Sequence, residues 1–240
     1  MEHDEQLSLF AGQVSHDLRT PLTAILANAE MLSAEPAVRE DEDVRWMVDA
    51  ISRAGHRLDA MVEQMLAFAQ EGGEPVLSVT SLNSVFELAL EDLAPVVAES
   101  QAEVTVPELP KLAVDARQLY SVARNLLSNA LKFARPDTPP RVLVSAECLD
   151  DRWRVQVTDN GIGVAPELRE SMFVLFARAD KRVEGSGIGL ASAKRIVEAH
   201  GGRISAETRR NGGARFRVRL PSAPTPEGPK ELPAATEGAA

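Results

Sequence analysis

The chain has 240 residues and a formal net charge of −10, with 44% hydrophobic, 26% charged and only 4% aromatic residues. That is the make-up of a globular protein with room for one large or two modest cores. No apolar run approaches the ~20 residues that a bilayer span requires, and the acidic start Met1 to Asp4 is unlike a signal peptide, so direct membrane insertion by this chain is excluded and a cytoplasmic location is expected. Charge is uneven: residues 1 to 71 hold five basic against fourteen acidic side chains, and the remainder 21 against 22. A first segment this negative repels phosphate backbones and argues against nucleic acid as a partner.

In chain order, apolar residues Leu7, Phe10, Val14, Leu18, Leu22, Ile25, Ala29 and Leu32 recur at three- and four-residue spacing and predict one helix over residues 4 to 33, about 45 Å long. Pro21 interrupts it and is expected to bend it. His16 lies off the stripe, facing water, with Asp17 beside it and Thr20 one turn on. An imidazole there has an ordinary pKa near ~6.5 and is largely neutral and nucleophilic at pH 7. An acidic connection, Glu35 to Asp43, leads to a second stripe, Val44, Val48, Ile51, Leu58, Met61, Met65 and Phe68. One hairpin cannot enclose its own apolar face, so pairing of two copies through residues 1 to 70 into a four-helix bundle is expected.

Gly72-Gly73-Glu74-Pro75 reads as a hinge. Beyond it the pattern is mixed: a strand at Pro75 to Val79, a helix at Leu82 to Glu99 capped by Ser81 and disturbed by Pro95, strands at Ala102 to Val106 and Lys111 to Val114, and a helix capped by Asp115. Strands follow at Arg141 to Cys148 and Trp153 to Thr158, then a helix at Ile188 to Ala199 ended by Gly201-Gly202. Two last strands, Arg203 to Thr208 and Ala214 to Leu220, turn at Gly212-Gly213. Cys148 is the one cysteine, which excludes an internal disulfide and, within a strand-like run, predicts a buried thiol. Residues 222 to 240 are too poor in apolar side chains to fold and read as a disordered tail.

Three polar constellations stand out. Asn125 and Asn129 share a face of the Asp115 helix, with Lys132 a turn further on; amide oxygens suit a hard cation, and amide N–H groups and a Lys suit phosphate. Asp159-Asn160-Gly161-Ile162-Gly163 closes a strand. Its carboxylate is placed to accept an exocyclic N–H of adenine, and Gly161 and Gly163 let the backbone pass close to a flat base. Gly185-Ser186-Gly187-Ile188-Gly189-Leu190 opens a helix and presents bare N–H groups to phosphate. It lacks the Lys of a Walker loop and the spacing of a dinucleotide fingerprint. Between the glycine boxes, Phe173, Phe176, Arg178, Lys181 and Arg182 have the composition of a segment that closes over a nucleotide. Each signal taken alone also fits a solvated helix face or a simple β-turn.

Taken together, the string His16-Asp17-Leu18-Arg19-Thr20-Pro21-Leu22 resembles the H-box of sensor histidine kinases, and the later boxes resemble the N-box, F-box and glycine boxes of their Bergerat-type ATPase domain. The resemblance covers roughly residues 10 to 220. It implies an α hairpin forming a dimeric four-helix bundle followed by an α/β two-layer sandwich: 1–71 a dimerisation and histidine phosphotransfer hairpin, 72–75 a hinge, 76–221 a catalytic ATP-binding domain and 222–240 a tail. It further implies a homodimeric, Mg²⁺-dependent transferase of a two-component signal transduction system. His16 would be the phosphoacceptor, Asp17 its acid/base partner, and Thr20 the residue that positions water for dephosphorylating a regulator. Asn125 and Asn129 would hold Mg²⁺ and phosphate, Lys132 phosphate, and Asp159, with Gly161 and Gly163, the adenine. Gly185, Gly187 and Gly189 would line the phosphates and Arg178 would reach the γ-phosphate. Phe133 stands where many relatives have a Tyr near the nucleoside. The implied partners are a response regulator receiver domain and a sensor, upstream or separate. Two other readings remain open: an ATPase clamp of the same superfamily without phosphohistidine, and a degenerate kinase serving as a dimeric scaffold or regulator phosphatase.

Overall fold

The computed structural model describes residues 2–70, 73–177, 186–210 and 212–222, and of residues 2–12, 16, 63, 64, 67 and 70 the backbone only. It begins with two long antiparallel helices, α1 (Glu2–Ala34) and α3 (Glu42–Gln70), joined through a short helix α2 (Pro36–Glu40) that begins with its proline in the first turn, where no N–H is missed. The connection expected as a plain loop therefore carries a turn of helix. Asp41 starts α3 by accepting the N–H groups of Asp43 and Val44 on one carboxylate oxygen. α1 runs through Pro21, which has no N–H to offer the Asp17 carbonyl.

The hairpin seam has a seven-residue period. Ser15, Leu22 and Ala29 of α1 and Val48, Gly55, Val62 and Ala69 of α3 are buried between the two helices. Gly55 packs closely there: a β-carbon on it would come within 2.6 Å of the Leu26 side chain, which would have to shift to admit it. Ser15, in place of the expected Val14, occupies the seam. The second stripe, Leu18, Ile25, Leu32, Ile51 and Leu58, stays between 43% and 50% exposed. Half of a bundle core is thus built and half is open.

The second lobe is an α/β sandwich. Its elements are β1 (Ser78–Ser81), α4 (Leu82–Asp92), α5 (Ala94–Glu99), β2 (Glu103–Thr105), β3 (Lys111–Val114), α6 (Ala116–Lys132), β4 (Arg141–Leu149), β5 (Arg152–Asp159), α7 (Leu168–Ser171), α8 (Gly189–Ala199), β6 (Arg203–Thr208) and β7 (Ala214–Pro221). A five-stranded sheet has the order β2-β4-β5-β7-β6, parallel only at β2/β4, and β1 pairs with β3 in a separate ribbon. Val144, Val155, Val157, Val218 and Leu220 point from the sheet into one core shared with Leu82, Val85, Leu126, Leu127, Ile196 and Val197 of α4, α6 and α8.

Several expectations shift. The single helix over residues 82 to 99 is two, because Pro95 belongs to the first turn of α5 and cannot continue the hydrogen bonds of α4. Ser81 occupies the N-cap of α4 with no side-chain bond, whereas Asp115 caps α6 by accepting Gln118 N–H at 3.0 Å. The first strand of the lobe is Ser78–Ser81, later than expected, since the pairing with β3 selects it while Val76 and Val79 stay exposed. Cys148 is exposed, correcting the expected buried thiol: it sits near the free end of β4 beyond the helix-covered core. The tail, from residue 223 on, lies outside the described residues.

Leu127 is fully buried at the centre of this core. Leu127→Ala is expected to destabilise the lobe by about 2–5 kcal/mol through lost burial and a residual cavity, read as a lowered midpoint in urea unfolding with an unchanged slope.

Candidate functional site

The candidate site lies where the end of β5, the last turns of α6 and the start of α8 converge. α6 is amphipathic: Leu119, Val122, Ala123, Leu126, Leu127, Ala130 and Leu131 face the core, which leaves Asn125 and Asn129 half-buried at its margin and Lys132 exposed. α8 closes on this margin, and a β-carbon on Gly189 would come within 2.6 Å of Asn125 Oδ1. The absence of a side chain at Gly189 therefore lets the positive end of α8 approach the amide of Asn125, as an anion site between the two helices needs.

Asp159 ends β5 and is buried. Its Oδ1 accepts the N–H groups of Gly161 and Ala214, each at 2.8 Å. Oδ2 takes up no donor among the described residues, so a fixed carboxylate keeps one oxygen for an incoming N–H. Burial is the largest influence on its proton affinity and raises the pKa above the ordinary 3.8, against the lowering by those two N–H groups and by the Arg209 guanidinium.

The strand end is shaped by close backbone approaches. Phe133, at the C-terminus of α6, offers its carbonyl to Ile162 N–H at 3.0 Å, and a β-carbon on Gly161 would fall 2.2 Å from that same carbonyl. Phe133 thus joins the Asp159 box by its backbone. Gly163 has φ +81°, beyond the ordinary reach of side-chain-bearing residues.

Long-range residues that no local pattern flags complete the frame. Arg135 Nε donates to the Gly161 carbonyl at 3.1 Å, and Arg209 donates to the Asp159 carbonyl at 3.2 Å. The Thr208 hydroxyl brackets Val164, meeting both its N–H and its carbonyl. Gly213 (φ +81°) packs on the Asp159 backbone. All but Arg135 come from the β6–β7 hairpin, some fifty residues from the box they hold; an Arg or Thr at such a distance carries no recognisable spacing.

Of the segment between the glycine boxes, Phe173 is buried, while Phe176 is exposed and has φ +65°, its N–H donating to the Gly187 carbonyl at 3.0 Å. Phe176 is therefore no apolar anchor, contrary to expectation. Gly187 itself has φ +76°. Ser186 is buried and its hydroxyl accepts Ile188 N–H at 3.3 Å. Arg178, Lys181, Arg182 and Gly185 lie outside the described residues, as does the side chain of His16.

On the hairpin, residue 16 lies in α1 between the buried Ser15 and the exposed Asp17. Asp17 and Thr20 are exposed, and both carboxylate oxygens of Asp17 accept from Gln13 Nε2 at 3.1 Å. Asp17 is thereby steered along the helix. The structure brings Asn125, Phe133, Asp159, Gly161, Gly187 and Gly189 together in the second lobe and carries Asp17 and Thr20 on the first.

Two family models match the chain: residues 6–74 match the His Kinase A (phospho-acceptor) domain, and residues 114–224 match the histidine kinase-, DNA gyrase B- and HSP90-like ATPase. Among curated proteins, the chain is 32% identical over 219 residues to cyanobacterial phytochrome A of Nostoc sp., covering 90% of this chain and 28% of that protein. It is 35% identical over 229 residues to the sensor histidine kinase AruS of Pseudomonas aeruginosa, covering 89% and 22%. The chain thus spans about a quarter of the length of the curated relatives it matches. Full-length ShkA, solved in complex with AMPPNP, superposes with a TM-score of 0.67 at 30% identity, covering 91% of this chain and 46% of that one. Histidine kinase ThkA in complex with response regulator protein TrrA shares the fold, with a TM-score of 0.62 at 21% identity over 92% of this chain and 64% of that one.

The proton affinity of Asp159 has a measurable consequence. Since its pKa is higher in the folded than in the unfolded chain, its contribution to stability is present below pH 3.8 and is lost as pH rises through the folded value. Asp159→Asn keeps an acceptor for Gly161 and Ala214 but does not titrate. The stability of the parent relative to this variant is therefore expected to fall with rising pH over that window in urea titrations; a difference flat in pH contradicts the assignment.

Proposed function

Because the chain belongs to the sensor histidine kinases and carries their catalytic core, we propose that it binds ATP in the second lobe, phosphorylates His16 of the first, and passes the phosphoryl group to an aspartate of a response regulator. The observation that carries this reading is the Asp159 carboxylate, pinned through one oxygen by two backbone N–H groups with the other left open, beside a helix start aimed at Asn125.

In this reading each site residue has its own part. Asp159 Oδ2 accepts the exocyclic N–H of adenine, while Gly161 and Gly163 leave space for the ring. The start of α8 at Gly187 and Gly189, with Gly185 before it, Lys132 and Arg178, neutralises the polyphosphate. Asn125 and Asn129 present amide oxygens that suit a hard divalent cation, and Mg²⁺ held there supplies charge neutralisation on the phosphate oxygens. The imidazole of His16 attacks the γ-phosphorus in line as the bond to the ADP oxygen breaks. Its ring proton passes toward Asp17, whose carboxylate Gln13 holds along α1. Thr20 serves the reverse chemistry, orienting water for dephosphorylation of the regulator.

The open seam of Leu18, Ile25, Leu32, Ile51 and Leu58 supports a homodimer whose two hairpins close one four-helix core. In this reading residues 1–71 are the dimerising phosphoacceptor hairpin and 76–221 the ATP-binding domain. No helix among the described residues is long and apolar enough to cross a membrane. The sensor belongs to the remainder of a protein on the scale of the relatives, or to a separate chain.

His16→Gln is expected to abolish acid-labile label from γ-labelled ATP and to leave nucleotide binding intact; label that persists rejects the assignment. Asn129→Asp and Asp159→Asn are each expected to weaken nucleotide binding at least tenfold, about the worth of one charge-assisted hydrogen bond, and calorimetric affinities equal to the parent's count against both. Charging the open seam, Leu18→Glu with Ile51→Glu, is expected to shift the chain from dimer to monomer in sedimentation.

A further inference from the structure

Of the segment 72–75 read from sequence as a hinge, Gly73 is tied to the ATP lobe, and so is Val76 just after it. Asp115, the cap of α6, accepts Val76 N–H on Oδ2 at 3.0 Å, and Gln118 Nε2 donates to the Gly73 carbonyl at 3.2 Å. The same node includes the end of α8. His200 is buried, its Nε2 accepts Asp115 N–H at 3.0 Å, and its Nδ1 meets the Ile196 carbonyl at 2.8 Å. Burial alone would raise the Asp115 pKa, but the N–H groups of Gln118, Val76 and Arg117, with His200 nearby, outweigh it and the pKa falls below 3.8. The node is therefore held by an ionised carboxylate at neutral pH. Gly73 and Val76 are thereby fixed to the ATP lobe.

Among the described residues, Arg195 joins the hairpin to the ATP lobe. Arg195 of α8 donates to the Phe68 carbonyl at 2.9 Å, and its guanidinium lies 5.3 Å from the centre of the Phe68 ring. Phe68 is in the last turn of α3, where backbone carbonyls concentrate negative charge, and that turn contains no basic residue of its own. The cation at the end of α3 is supplied by the other lobe.

The clasp also fixes a level on the hairpin. Arg19 pairs with Asp59 at 3.9 Å, so counting along the antiparallel helices sets Phe68 opposite residue 10, about 9 Å along the axis from residue 16. Among the described residues, α3 and α2 are the elements that pack most extensively on α1, and no element of the ATP lobe packs on it to a comparable extent. The arrangement holds the lobe by the foot of the hairpin without laying its nucleotide site against the helix that carries His16. We propose that Arg195 is a positioning residue for the phosphoryl transfer: its clasp on Phe68 parks the ATP lobe, and release of the clasp lets the lobe carry the γ-phosphate to His16. The proposal rests on His16 as acceptor.

The test uses the full chain. Arg195→Gln is expected to raise the initial rate of His16 labelling about three- to tenfold with the KM for ATP unchanged, because it shifts the parked population without touching the nucleotide. Arg195→Lys, which retains a cation and a donor, is expected to stay within about twofold of the parent. In a Cys148→Ser background, spin labels at Arg53→Cys and Arg124→Cys, in dimers diluted with unlabelled chain, are expected to give a narrow distance distribution that broadens in Arg195→Gln. An unchanged distribution, or His16 labelling that occurs in the parent and is no faster in Arg195→Gln, overturns the clasp. A distribution that broadens while label is absent from His16 instead overturns the acceptor assignment and leaves the clasp standing.

Discussion

A carboxylate buried at the end of a sheet strand is tolerated only if the fold supplies donors, and here the fold supplies them from two sides. Gly161 comes from the turn that follows β5 and Ala214 from the first residue of β7. For both N–H groups to reach one oxygen, the chain must pass the Phe133 carbonyl without a side chain at Gly161 and the Asp159 carbonyl without one at Gly213. Thr208, Arg135 and Arg209 hold the surrounding backbone. Burial penalises the ionised form of Asp159, so the site stores a preference for a donor at Oδ2, the preference that the proposed adenine amine would satisfy.

The first lobe is governed by a different deficit. Its inner seam is filled, down to the glycine at position 55 that a larger residue would unseat, while the outer seam of five aliphatic side chains faces water. Burying that seam against a second hairpin is worth more than any intrachain contact left to it, since each of these side chains gains roughly 1.5–3 kcal/mol when fully withdrawn from water. Among the described residues, no acidic side chain of the hairpin is buried in the inner seam. At the foot of this hairpin Arg195 ties the second lobe to the last turn of α3.

Regular periodicity made much of this fold legible. The seven-residue seam of α1 and α3, the apolar face of α6 and the alternation in β4, β5 and β7 each place many side chains by one rule, and Asp115 announced its helix by cap chemistry alone. Where one residue had to decide, sequence was a weaker guide. Pro95 divided a helix because it fell in a first turn, Ser15 displaced Val14 from the seam, and Val76 and Val79 looked like strand core but lie on an exposed ribbon. In the site, Asn125, Asp159 and the glycines were visible through spacing. Arg209 and Gly213 act on Asp159, and Thr208 on Val164, from another hairpin, and Arg195 acts on Phe68 from more than a hundred residues away; such contacts are set by tertiary packing and leave no local trace.

The claim on which the whole account turns is that the terminal phosphate of ATP ends on the imidazole at position 16. The most direct measurement is phosphorus NMR of the chain after incubation with Mg²⁺ and ATP, followed by fragmentation mass spectrometry of the peptide spanning Gln13 to Arg19. The account predicts a single acid-labile phosphoramidate resonance that maps to His16. An acid-stable phosphoester, or a phosphoramidate on another histidine, contradicts it.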